Sequence, residues 1–90
     1  MKKYLVIKKD GREESSKRVS SELDIAEFCE SLLVKELGRM RKDLGDDVDV
    51  EELETFKTYT EEFCTVEEEG ENLWTVGLNE EEWLEISEIK

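Results

Sequence analysis

The chain has 90 residues, 13 Lys/Arg against 26 Asp/Glu, no histidine and a formal net charge of -13. That length allows one domain, expected over 1–90, with a real but small core. The lack of histidine removes Ser-His-Asp and Cys-His catalysis and the commonest transition-metal ligand.

The charge is unevenly spread. Residues 1–45 carry 11 Lys/Arg against 9 Asp/Glu, whereas residues 46–90 carry only Lys57 and Lys90 against 17 Asp/Glu, a net of -15. The second half must therefore offset its self-repulsion by packing or by a positively charged partner. With 37% apolar residues, two Trp, two Tyr and three Phe, the chain has material to collapse and lacks the composition of a disordered acidic tail.

The opening "MKKYLVIKK" has four apolar residues in a row, too few for a signal-peptide core, and no apolar run approaches a membrane span. A cytoplasmic, membrane-free protein is expected, since an acidic surface is also repelled by anionic lipid. Within the opening, Tyr4–Ile7 reads as a strand. Asp10-Gly11 follows as a type I′ pair, leading either to a return strand over 12–18 or to a loop.

From Ser21 to Gly45 the apolar residues Ile25, Phe28, Cys29, Leu32, Leu33, Leu37, Met40 and Leu44 recur at helical spacing. Ser21 with Asp24 reads as a capping pair, Arg39, Arg41 and Lys42 suit the negative end of the dipole, and Gly45 is a stop. A helix over about 22–44 is expected. Asp49, with Glu52 three residues on, caps a short second helix over about 50–57. Asp47, Asp49 and Glu51 alternate like the start of a calcium loop, but Glu52 and Thr58 stand where that loop needs Gly and Glu, so capping explains them better.

Beyond residue 57, "TYTEEFCTVEEE", "NLWTVGL" and "EWLEISEI" are rich in Thr, Val, Ile and aromatics and are split by Gly70, Asn72 and Asn79, which predicts a three-stranded meander. The expected fold is α+β: a small antiparallel sheet, made of the N-terminal strand or hairpin and the meander, with the long helix covering one face. Strand alternation puts Trp74, Val76, Leu78, Leu84 and Ile86 in the core, with Cys64 and Val66. Trp83, Glu85 and Ser87 fall on the other face, with Phe63, Thr65 and Glu67. Cys29 and Cys64 fit neither a zinc nor a CxxC spacing and are expected as free, packed thiols.

No phosphate-cradling or nucleophile-elbow motif occurs, and carboxylate pairs among 26 acids carry no specificity, so no enzymatic activity and no cofactor or metal is expected. Direct nucleic-acid binding is disfavoured by charge, and the basic residues form no single stripe along the sequence. Trp83 has two readings, a cover for a sheet edge or the domain base, or an aromatic anchor ringed by carboxylates. The second makes Glu67, Glu68, Glu69, Glu71, Glu80, Glu81, Glu82, Trp83 and Glu85 a partner-binding surface for a basic, nucleic-acid-binding protein, because carboxylates in rows on a sheet imitate a phosphate backbone. In size, charge and mixed α+β pattern the chain resembles the small acidic proteins that phages and mobile elements make against host restriction or CRISPR nucleases. That resemblance implies an inhibitor that mimics nucleic acid. The alternative is a housekeeping or self-associating module, a homo-oligomer joined through sheet edges, whose acidity serves solubility.

Overall fold

A computed structural model describes residues 1–90. Two strands open the chain, β1 (Lys2–Asp10) and β2 (Glu13–Ser21), followed by helices α1 (Ile25–Leu44) and α2 (Val50–Phe63) and strands β3 (Val66–Gly70), β4 (Leu73–Gly77) and β5 (Glu82–Ile89). All neighbours pair antiparallel in the order β2-β1-β5-β4-β3, so the N-terminal hairpin joins the meander through β1 and β5. The α+β architecture is the expected one.

Strand β1 lies inside the sheet, between β2 and β5, and both its faces carry apolar residues. Tyr4 and Val6 point to the α1 side and are buried, while Leu5 and Ile7, on the other face, are half-buried. The return strand is formed in full and is longer than 12–18. Its two-residue loop is Gly11-Arg12, and only Gly11 has positive φ, at 59°. That is the signature of a type II′ turn, with glycine at its first central position, rather than the expected Asp-Gly type I′.

Helix α1 starts at Ile25 rather than 22, because Ser21 is still paired in β2 and Asp24 takes the N-cap, its Oδ1 accepting the Glu27 N–H at 2.9 Å. That bond holds the Asp24 carboxyl below its ordinary value, with Lys2 contributing. Gly45, at φ 83°, ends the helix and donates its N–H to the Lys42 carbonyl. The α1 stripe packs on the core from Ile25 to Leu33, while Leu37, Met40 and Leu44, expected to continue it, lie outside the core cluster and Leu44 is exposed. Phe28 and Cys29 are buried, and Ile25, Leu32 and Leu33 pack against Tyr4, Val6, Val76, Leu78 and Ile86. Tyr4 stacks on Phe28 with ring centroids 4.4 Å apart and donates its hydroxyl to the Leu23 carbonyl at 2.6 Å.

Helix α2 is nearly twice as long as expected. Tyr59–Phe63 belong to it rather than to a strand, and β3 begins only at Val66. Leu53, Phe56, Thr60 and Phe63 continue the helical spacing and are half-buried, Tyr59 packs on Phe63 with centroids 4.8 Å apart, and Asp49 caps the start through the Glu52 N–H. No α2 residue is fully buried. The molecule is elongated, 46 × 29 × 20 Å with a radius of gyration of 14.3 Å, against about 12 Å for a compact chain of this length. Both cysteines are free and buried, and the Cys64 thiol lies 3.2 Å from the Leu78 carbonyl.

Candidate functional site: an acidic helix beside an exposed tryptophan

The register sorts the expected binding residues onto two faces. Trp83 pairs with Lys9 on β1 and Gly77 on β4, so it lies on the face that α1 leaves uncovered, with 38% of its surface exposed. Glu85 shares that face, and Glu67 lies in the same cross-strand row, separated from it by Thr75. Glu69 joins them, its carboxylate accepting the Thr75 hydroxyl at 3.2 Å. Glu68 pairs with Trp74 and Glu82 with Asp10, which puts both on the α1 face. Glu82 there binds Lys8 at 3.2 Å. Glu71 sits in the β3–β4 turn, at the far end of β4 from Trp83.

Trp83 is therefore not ringed by free carboxylates. Its indole N–H donates to Glu85 at 3.2 Å, and the Lys9 ammonium approaches both Glu85, at 3.9 Å, and Glu14, at 3.1 Å. Glu85 is thus committed within the molecule. Of the Glu80–Glu82 run, Glu80 and Glu81 remain exposed in the β4–β5 turn, which Asn79 shapes by accepting the N–H groups of Glu81 and Glu82.

The larger acidic surface is α2, which the residue-by-residue reading of the turns missed. Glu51, Glu52, Glu54, Glu61 and Glu62 are all exposed on it, with Lys57 the single cation, and Asp46, Asp47 and Asp49 precede it. Two contacts bring this helix to the Trp83 end of the sheet. The Glu80 N–H reaches the Tyr59 hydroxyl at 3.4 Å, and the Phe63 carbonyl lies against Cα of Gly77, the cross-strand neighbour of Trp83. A side chain at 77 would collide with that carbonyl, so glycine is what lets the chain cross there. The Gly77 N–H then donates to Thr65 at 2.8 Å and leads the chain into β3.

The cations also gather, contrary to their scatter along the sequence. Lys8 and Lys17 from the hairpin and Lys35, Arg39 and Lys42 from α1 line one groove of about 570 Å³, floored by Leu32, Leu78 and Leu84. Arg39 is held there by Glu36 and Asp43, and Lys8 by Glu82. The surface thus carries a cation-lined groove between α1 and the hairpin as well as the acidic helix α2.

No helix is long and apolar enough to cross a membrane. No protein-family profile, curated protein or solved structure matches the chain.

Proposed function

We propose that this chain is a non-enzymatic protein-binding module that inhibits a basic, nucleic-acid-binding partner by occupying its groove, as a small acidic anti-defence protein of the anti-CRISPR kind would. The observation that carries the reading is α2. Fourteen residues give a helix about 21 Å long. Its five carboxylates fall in two groups, Glu51, Glu52 and Glu54 near the start and Glu61 and Glu62 in the last turn, about 10 Å apart along the axis, so the helix offers negative charge at both ends. Glu61 and Glu62 stand in the last turn, where the helix dipole is already negative and no basic residue answers it. Charge set where it costs the free protein stability is explained by a cationic partner that relieves it. Glu80, Glu81, Glu67 and Glu69 extend the negative field, which speeds and orients encounter, while the exposed face of Trp83 adds an apolar contact that slows release.

The test is capture from a nuclease-treated cytosol at low and high salt, followed by displacement of a labelled duplex or RNA from each captured protein. The reading expects a basic nucleic-acid-binding protein, released by salt, whose nucleic acid this chain displaces. A Glu51, Glu54, Glu61, Glu62→Gln variant should lose that displacement while keeping its circular-dichroism spectrum. Capture of proteins that bind no nucleic acid, or displacement undiminished in the variant, overturns the reading.

A further inference from the structure

We propose that β2 is a pairing edge for a second copy of this chain, forming a two-fold dimer with a continuous ten-stranded sheet. This rests on the sheet edges and is independent of the inhibitor reading.

The two edges of the sheet are built differently. The β3 edge has five residues, carries Glu67, Glu68 and Glu69 in succession and breaks its register between Glu68 and Gly70. Charge of one sign, short length and a bulge are the features that keep an edge from pairing. The β2 edge has nine residues, pairs with β1 in unbroken register along its whole length and is exposed from Glu13 to Arg18. It has no proline and no bulge. Its surroundings are also the least acidic part of a chain whose net charge is -13, because Lys2, Lys3, Lys8, Lys9, Arg12, Lys17 and Arg18 all lie in this hairpin. On β2 itself Glu13 and Glu14 balance Lys17 and Arg18, so two copies meet along a strand with no net charge.

The sequence of the edge fixes the register. A two-fold axis perpendicular to the sheet keeps each face on its own side, so the numbers of opposed residues must sum to an even value. A two-residue hairpin closes on a hydrogen-bonded pair, here Asp10 and Glu13, after which bonding alternates along the strand. Glu14, Ser16, Arg18 and Ser20 therefore turn their backbone N–H and C=O groups away from β1. Centring the axis on Ser16 puts these groups opposite one another in two copies. It also sets Glu14 of each copy against Arg18 of the other on the open face, and on the α1 face makes each Lys17 diagonal both to Glu13 and to Lys17 of the other copy. No like charges are directly opposed. Neither Lys17 nor Arg18 forms an ion pair within the chain, and Glu14 has only Lys9. Cross-strand pairs of opposite charge stabilise an antiparallel ladder, and the proposed register supplies two of them by symmetry.

Sedimentation equilibrium from micromolar to near-millimolar concentration, with residue-resolved amide exchange, tests this. The expected result is a mass rising toward twice that of the chain, with the amides of Glu14, Ser16 and Arg18 gaining protection as concentration rises. Ser16→Pro removes an outward N–H and should leave a folded monomer, since edge strands tolerate proline where the N–H faces solvent. Arg18→Glu should weaken the dimer on the order of tenfold by opposing two pairs of carboxylates, and Glu14→Arg with Arg18→Glu should restore it. A monomer at every concentration overturns the proposal. So does a dimer that survives Ser16→Pro and Arg18→Glu unchanged, because it must then use another surface.

Discussion

Replacing Glu61 and Glu62 by Gln should make the free protein more stable, which is the opposite of what most substitutions do. Both carboxylates lie in the last turn of α2, exposed and outside every ion pair. A negative side chain at a helix C-terminus opposes the dipole by about 0.3–1 kcal/mol at low ionic strength. Two such residues cost roughly 0.6–2 kcal/mol if they act independently. A 90-residue domain unfolds with an entropy of about 0.19 kcal/mol/K, so relief of that cost raises the melting temperature by roughly 3–10 °C. Thermal melts followed by circular dichroism at low salt read this directly, and the gain should shrink as salt screens the exposed charges. The same variant should bind the proposed partner less well, a trade of function for stability. An unchanged or lower melting temperature at low salt would refute the reasoning, because it would mean that these carboxylates already have a stabilising role in the free protein.

Gly77→Ala should destabilise by about 1–3 kcal/mol, because its Cβ meets the Phe63 backbone carbonyl and the chain must shift to admit it; a melt indistinguishable from the parent would show that the crossing is looser than described. Phe28→Ala removes the ring stacked on Tyr4 and should cost about 3–5 kcal/mol. With only eight buried residues in the whole chain, that approaches the entire stability, so the variant should be largely unfolded at 37 °C, and a cooperative melt close to the parent's would refute the placement of the core. The Cys29 thiol is pushed up to about 11 by burial, with Glu30 adding, and burial also raises that of Cys64. Neither should be alkylated at pH 8 faster than the protein unfolds, and rapid labelling of the native state would refute their burial. The sign for stability follows from the same shift. The native state holds the Cys29 proton more tightly than the unfolded chain, so this contribution is intact below about pH 9 and is lost as pH rises toward 11.

Periodicity made much of the fold legible. The α1 stripe from Ile25 to Leu33 and the inward set Trp74, Val76, Leu78, Leu84 and Ile86 all pack as their spacing implies, because a helix or strand with one apolar face has one way to bury it. Segment "TYTEEF" misled because Thr and Tyr favour strands locally, while Leu53, Phe56, Thr60 and Phe63 carry on the helical period that the Asp49 cap starts, and Tyr59 packs on Phe63 one turn on. The same error cut α2 short, hid Glu61 and Glu62 as part of an acidic helix and displaced the expected site toward the turns. Glu82 could have been placed correctly from the sequence, since it shares the parity of Leu84 and Ile86 and must face α1 with them. The pairing of Lys9 with Glu85 and the approach of Phe63 to Gly77 depend on strand order, and no local pattern encodes that.

The polarised charge now has a physical account that composition alone could not supply. The N-terminal half contributes Tyr4, Val6, Phe28 and Cys29 to a core of eight residues and stays near neutral. Its hairpin edge can approach another strand without a large electrostatic cost. The C-terminal half adds Cys64, Val76, Leu78 and Ile86 to that core, and places its carboxylates on α2, the turns and strands β3 and β5, none of them buried. Solubility alone would be served by spreading those charges over the surface, where mutual repulsion is smallest. Glu51 and Glu52 suit the positive end of α2, but Glu61 and Glu62 at its negative end raise the free energy of the isolated protein. The cationic partner proposed above would relieve that cost on binding.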